Sequence, residues 1–566
     1  MILNTVIFLT IYYLILLSTL GFGFLFALLI RIKKDKFSLG IIGLLGFCFL
    51  TFFSYLTNFF FAHNYLHNIT LHAVGVISFI YSFIKHKKQR KYFFTLFGIS
   101  VLFLLGLFLS KNHDDFPYYH LAFTLNLVES NSVIGIGNFN SGYRTPSSLF
   151  YFHSLLYLPY IKYYLFHCSG ILILTFANYF LLERFLLNQS YKKNNFINIL
   201  GALIFIFINL VFARLAEYGT DRGPQIIAFI LIFLMFDLLN KESQSYDLIK
   251  IISFFILYTI TAKSYFIIYL LFFIIIFYNL RSHNILDLIK KNISFLIIFL
   301  VFFISYFISN ILNSGCLVFP IAITCFENFT WSANLDLINQ TNTWYELWAK
   351  AGATPNYVIA DRDNYIKYFN WVPNWINNYF FIKAIDIIAV IFLIIVIFLI
   401  SFFSFSTGVN KNIKNISYKV IYYLLILFFF VWFSKHPDLR YGGYVLIALL
   451  TFVPASIFLS RIIIKDKFKK LIYMHIVVFV IIIFNVKNII RISTEFKRAD
   501  MYQYKNFPFF HVEKVNFTSL DINNDFRIYI PKDNNCWATP FPCVEEYQDT
   551  DAKKIGIFKI FFKKKL

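Results

Sequence analysis

Apolar residues run along this chain in long blocks, and polar residues collect between the blocks instead of alternating with them. A hydrocarbon core of about 30 Å takes a helix of about 20 residues. The blocks therefore predict an all-α polytopic membrane protein of about fourteen spans. They fall near 5–30, 38–61, 69–84, 92–110, 149–184 (holding one span), 196–213, 226–240, 250–262, 264–280, 293–312, 384–406, 418–433, 443–464 and 471–488. The first block is too long, and lacks the basic lead-in, for a cleaved secretory signal. The run 250–280 reads as two short spans meeting at Lys263, because one span would put that ammonium at mid-membrane for about 2.5–3.5 kcal/mol. The stretch 147–187 exceeds one crossing, and its first part, "SSLFYFHSLLYLPYIKYY", is expected to lie along the interface.

Charge sets the orientation. The chain is 59% hydrophobic with a formal net charge of +22. Such a charge would suggest nucleic acid if it formed a patch. Instead it sits in short clusters between spans: "RIKKDK", "KHKKQRK", "YKKNN", "LIKKN", "NKNIKN" and "KDKFKK". Basic short loops mark the cytoplasmic side, so no nucleic-acid partner is expected and the partner is the lipid bilayer. In a bacterium this places the chain in the inner (plasma) membrane, with the remaining loops in the periplasm. The large external segments are then 111–147, 313–383 and a tail from about 489. In the tail, "DFRIYIP" and "KIGIFKIFF" alternate like strands, which predicts a small α/β soluble region. Three units follow: 1–91, 92–488 and 489–566. The terminal "FFKKKL" matches a dilysine retrieval signal, which is read in the cytosol and so disagrees with this orientation.

Four cysteines fall as two close pairs in external segments, Cys316 with Cys325 and Cys536 with Cys543. Their placement predicts two local disulfides in an oxidising compartment. Cys48 and Cys168 lie within or beside spans.

Candidate chemistry gathers in the external loops. "KNHDDFPYYH" puts Asp114 and Asp115 at the mouth of a span, flanked by His113 and His120. Asp115, with Pro117 behind it, also suits a helix N-cap. A carboxylate at headgroup depth can take a proton from an acceptor hydroxyl as a bond to a lipid phosphate breaks. The departing phosphate needs cations or a divalent metal (Mg or Mn) to hold its charge. Cations stand at external span ends: Arg144, Arg214, Arg222, Lys263, Lys435 and Arg440. Arg suits bidentate phosphate contact and Lys a point charge. "GIGNFNSG" reads as a turn, and Trp331, Trp344, Trp348, Trp371 and Trp375 read as an interfacial belt more than as a sugar platform. Asp361 and Asp363 start a turn or flank the site.

The acidic pair after a span, the Lys in "TAKSY" between two short spans, the late "PDLRYGGY" and the external C-terminal region together resemble the GT-C superfamily. These are integral membrane glycosyltransferases of the protein mannosyltransferase and aminoarabinose transferase type. The resemblance covers about 92–566. It implies a GT-C-like fold and a polyprenyl-phosphate-sugar donor, with a glycan, lipid or protein as acceptor. It also implies Asp114 or Asp115 as the catalytic or metal-associated acid, and Lys263 and Arg440 on phosphate. In that superfamily the acidic loop follows the first span, whereas here it follows the fourth. Two other classes compete. An O-antigen polymerase or ligase would use cationic loops without the acid pair. A lipid-linked glycan transporter would need polar residues at mid-membrane, where these blocks are almost purely Phe, Ile and Leu.

Overall fold

The computed structural model describes residues 1–33, 37–86, 90–108, 113–187, 195–217, 219–240, 246–281, 285–353, 359–409, 418–498, 506–523, 525–545 and 550–563. The chain is mostly helical. Among the described residues, nine helices are long and apolar enough to cross a membrane, the signature of a multi-pass membrane protein. They include Ile2–Leu29, Leu39–Asn58, Phe166–Leu187, Arg222–Leu239, Ile293–Ser314 and Gly443–Ser460. Five further expected spans are shorter helices, Tyr246–Ala262 among them.

Close packing comes first from small residues. A Cβ on Gly21 would lie 1.9 Å from the Gly75 carbonyl oxygen, so the first and third helices touch backbone to backbone. One apolar core then runs from Phe8 to Phe561, joining the N-terminal helices to the middle of the chain and to the tail.

The loops sort to two ends. At one end Lys250 Nζ donates to Ile30 O (3.0 Å), Arg184 pairs with Asp237, and Ser406–Val409 pairs antiparallel with Ile462–Ile464. This is the end expected to face the cytosol. Parts of its basic clusters (34–36, 87–89, 191–194 and 410–415) lie outside the described residues, as do 564–566 of the dilysine motif. At the other end Asn138 Nδ2 donates to Trp331 O (3.1 Å), Ser147 Oγ to Ala262 O (2.8 Å) and Gln225 Nε2 to Arg440 O (3.2 Å). The segments expected outside therefore meet one another.

Lys263 interrupts the helices as expected: it is extended (φ −148°, ψ 124°) between Tyr246–Ala262 and the 3-10 helix Ser264–Leu271. Three expectations need correcting. The start of 147–187 is not an interfacial helix, because Ser148–Ser154 is buried along its whole length, with Tyr151 stacked on Tyr55 (3.6 Å) and Phe152 packed at a tilt against Phe47 (4.2 Å). The tail begins later than 489, because the last long helix, Asp466–Phe496, stays amphipathic past its apolar centre. The C-terminal region is not α/β: its described residues form two antiparallel hairpins, Phe517–Asn523 with Phe526–Pro531 and Thr550–Ile555 with Phe558–Lys563. Both expected disulfides are present, Cys316–Cys325 and Cys536–Cys543, while Cys48 and Cys168 are buried thiols.

Candidate functional site

A cavity of about 300 Å³ opens at the end of the bundle where the large loops meet. Three helices begin there: Ser169–Leu182, Arg222–Asn240 and Gly443–Ser460. Ser169, Gly170, Arg222, Gly223 and Tyr444, all in their first turns, line it. Helix N-termini carry partial positive charge and unpaired N–H groups, so three of them at one cavity favour an anion. Neither Ser169–Leu182 nor Gly443–Ser460 has a side-chain cap. The last helix starts from Gly442 at φ 97°, a conformation that costs a non-glycine residue about 1–2 kcal/mol.

Side chains from separate loops line the cavity or brace its lining residues. Lys263 forms an ion pair with Asp221, and its Nζ stands 5.7 Å from the Tyr441 ring centre. Arg440 Nε donates to Asp438 Oδ2 (3.0 Å). Asp438 is fixed in turn by the Tyr379 hydroxyl (2.7 Å) and the Arg440 backbone N–H (3.1 Å). The indoles of Trp375 and Trp432 hold the same turn through Pro437 O and Asp438 O, each at 2.8 Å. Arg222 Nη1 lies 3.2 Å from Glu217 Oε2, and Arg214 Nη1 lies 3.5 Å from the other carboxylate oxygen.

The aspartate loop joins this group through His113. The His113 N–H donates to Glu217 O (2.7 Å). The Asp115 N–H donates to His113 Nδ1 (3.2 Å), and Asp115 Oδ2 lies 3.4 Å from the same nitrogen. A neutral ring accepts the N–H, whereas a protonated ring would pair with the carboxylate.

Electrostatics tie the loops together. Burial opposes the ionisation of Asp221, but Lys263, Arg440 and His113 more than offset it and hold its carboxyl well below the usual range. Burial likewise opposes the charge on Arg440. Asp438, Tyr441, Asp221 and Asp115 outweigh that and hold its guanidinium protonated. Asp115 therefore acts on Arg440 across the site. Burial raises Tyr119, and Asp115, Tyr345 and Asp221 add to the rise.

The structure thus brings together His113, Asp115, Arg222, Lys263 and Arg440. Arg144 is close by: its Nε donates to Gly137 O (2.9 Å), and it acts on Tyr345 together with Lys263. His120 is buried behind His113, ring centres 5.8 Å apart. Asp114 is exposed, and Lys435 turns outward to Glu346 (3.4 Å). The N-cap expectation for Asp115 fails in its detail: Asp115 precedes the π-helix Phe116–His120 with Pro117 in the first turn, but its side chain makes no capping bond. Of the tryptophans, Trp371 and Trp375 are core residues under the Arg440 turn, not an interfacial belt. Asp361 caps Arg362–Ile366. "GIGNFNSG" is a packed turn, with Gly135 at φ 79°.

Sequence reasoning missed Glu217, Asp221 and Asp438, the carboxylates that hold the cations. The signal was available: each lies within five residues of an arginine in its own short loop. Among the described residues no three His, Cys, Asp or Glu side chains gather as metal ligands. Asp221 and Asp438 are committed to cations, and no step is derived through a divalent ion at Asp114 and Asp115.

The family described as Domain of unknown function (DUF8201) matches residues 5–447. No curated protein and no solved structure matches the chain.

Proposed function

We propose that this chain, which belongs to the DUF8201 family, is a membrane glycosyltransferase acting on a polyprenyl-phosphate sugar at the loop-bearing end of its helices. One observation carries the reading: His113, Asp221, Asp438, Arg222 and Arg440, from loops distant in sequence, line one cavity at three helix N-termini, and Asp115 and Lys263 stand beside it in contact with His113 and Asp221. On this reading the sugar phosphate enters with its phosphate toward Arg440 and Arg222. Bidentate guanidinium contact and the helix ends then stabilise the charge that grows on the leaving lipid phosphate. Asp115 takes the proton of the acceptor hydroxyl as that oxygen attacks the anomeric carbon from the opposite face, with inversion. His113 is a positioning residue for Asp115. Asp221 is unsuited to the base role, because its ion pair with Lys263 keeps it a weak proton acceptor. The acceptor is a cell-surface glycan, lipid or protein, and in a bacterium the reaction faces the periplasm from the inner membrane.

The test is transfer of labelled sugar from polyprenyl-phosphate donors in membranes bearing the wild type, Asp115→Asn or Asp114→Asn. Asp115→Asn is expected to lower transfer by about 10²–10⁴-fold with expression and insertion unchanged. Full activity in both variants would refute the assignment.

A further inference from the structure

The cavity has two unlike walls. One carries Arg222, Asp221, Asp438 and Arg440; the other is neutral, made by Leu149, His153, His167, Ser169 and Gly170. His153, His167 and Ser169 are each at most 5% exposed, and burial favours an uncharged imidazole. His153 Nε2 lies 2.7 Å from Ser169 Oγ.

His167 has a defined tautomer. Its Nε2 is 2.8 Å from the Leu107 carbonyl oxygen, which can only accept, so Nε2 carries the proton. Nδ1 then presents a lone pair, and it has no hydrogen-bond partner among the described residues. Phe8 and Phe510 pack on the ring, with centres 6.4 and 6.0 Å away, and keep it from turning. A buried acceptor left unpaired is destabilising unless a donor arrives. A phosphate dianion brings no proton to give, whereas a sugar hydroxyl does. The volume suits one such unit, being at the small end of the roughly 300–1,000 Å³ usual for ligand pockets.

We infer that the neutral wall is a hydroxyl-recognition subsite, in which His167 Nδ1 accepts from a sugar hydroxyl and the His153–Ser169 pair faces the same ring, while the phosphate lies against Arg440 and Arg222. The inference rests on the glycosyltransferase reading for its phosphate end and extends it to the part of the substrate that is recognised. The ligand is a neutral sugar attached to phosphate, whether lipid-linked or free.

The experiment measures binding to the full-length chain in nanodiscs by isothermal titration. The probes are inorganic phosphate, a hexose 1-phosphate and a citronellyl phosphohexose, against wild type, His167→Phe and Ser169→Ala, with folding checked by thermal unfolding. Wild type is expected to bind the hexose 1-phosphate at least tenfold more tightly than phosphate. His167→Phe should weaken both sugar probes by about tenfold and Ser169→Ala by a few-fold, with phosphate affinity unchanged. Equal affinity for phosphate and sugar phosphate, or discrimination that survives in both variants, would overturn the subsite and leave the glycosyltransferase reading standing. Failure of all three probes to bind would overturn both. Tighter binding of the citronellyl probe than of hexose 1-phosphate supports the subsite with a lipid-linked ligand. Equal binding of the two supports it with a free sugar phosphate and removes the lipid donor from the reading.

Discussion

Asp221 and Lys263 form an ion pair where two helices end: Asp221 immediately precedes Arg222–Asn240, and Lys263 immediately follows Tyr246–Ala262. The pair welds two loops to the cavity wall, and its side chains are only 14% and 23% exposed. Removing one partner leaves the other charge poorly solvated, at a cost of about 3–5 kcal/mol for a fully buried pair and less here. Lys263→Met should therefore lower the unfolding midpoint more than Lys263→Met combined with Asp221→Asn, as tryptophan fluorescence on heating would record. A single variant as stable as wild type would remove the pair from the structural account.

The same pair fixes a pH dependence. The carboxyl of Asp221 is held below its ordinary value of 3.8. A depressed folded-state pKa contributes stability that is complete above the unfolded value and is lost as pH falls below it through the folded one. Wild type should thus lose this contribution only under acid conditions, below about pH 4. The wild-type advantage over Asp221→Asn should stay level from pH 5 to 8. A decline within that window would mean the ion pair is not formed as described.

Arg440 offers a charge-conserving test. Its Nε is tied to Asp438, which leaves the guanidinium tip beside the cavity. Lysine keeps the charge and loses the fork. Arg440→Lys is expected to reduce sugar transfer at least tenfold without a matching loss of thermal stability, and Arg440→Met to reduce it further. Equal activity of Arg440→Lys and wild type would take bidentate phosphate contact out of the mechanism.

The second disulfide bears on the aspartate loop. Cys536–Cys543 closes a short loop whose Trp537 N–H donates to Pro117 O (2.7 Å), with the Trp537 ring 5.8 Å from Phe116. Such a link contributes roughly 2–3 kcal/mol by chain entropy. Replacing both cysteines by serine should lower the unfolding midpoint by several degrees and reduce transfer, because Phe116 and Pro117 directly follow Asp115. Removal of Cys316–Cys325, a separate loop braced by Asn310 at Leu317 O and by Ser332 Oγ at Phe326 O, should spare transfer.

Sidedness can be read by labelling. Asp361→Cys and Lys553→Cys stand in exposed positions at the cavity end, and Lys467→Cys in one at the opposite end. An impermeant maleimide applied to intact cells should label the first two and not the third, while the native Cys48 and Cys168 stay silent in the core. Labelling of Lys467→Cys alone would invert the proposed orientation.

The sequence made the helices legible because lipid burial requires long apolar blocks, and the break at Lys263 was legible because a mid-span ammonium is costly. It also indicated which loops share an end, since basic residues mark one set. Ser148–Ser154 was misjudged because Phe, Tyr and Leu suit a protein interior as well as a membrane surface. The roles of Trp371 and Trp375 were misjudged for the same reason. At the site, the cations stood out against loops where Lys and Arg are scarce. Asp438 could have been read from Arg440 two residues on, whereas only the three-dimensional meeting of loops shows that Asp221 faces Lys263. The cavity depends on those meetings, and no local pattern encodes them.

The pairing of nearly every cation with a carboxylate also governs how a ligand gains entry. With Arg222 against Glu217, Lys263 against Asp221 and Arg440 against Asp438, the cavity is close to electrically balanced and casts little long-range pull into solution. Arrival of a phosphate then works by exchange of partners at short range, so capture rates should respond weakly to added salt while affinity tracks how readily each arginine lets go of its internal counter-ion. A chamber built this way ignores stray anions and yields only to one that fits.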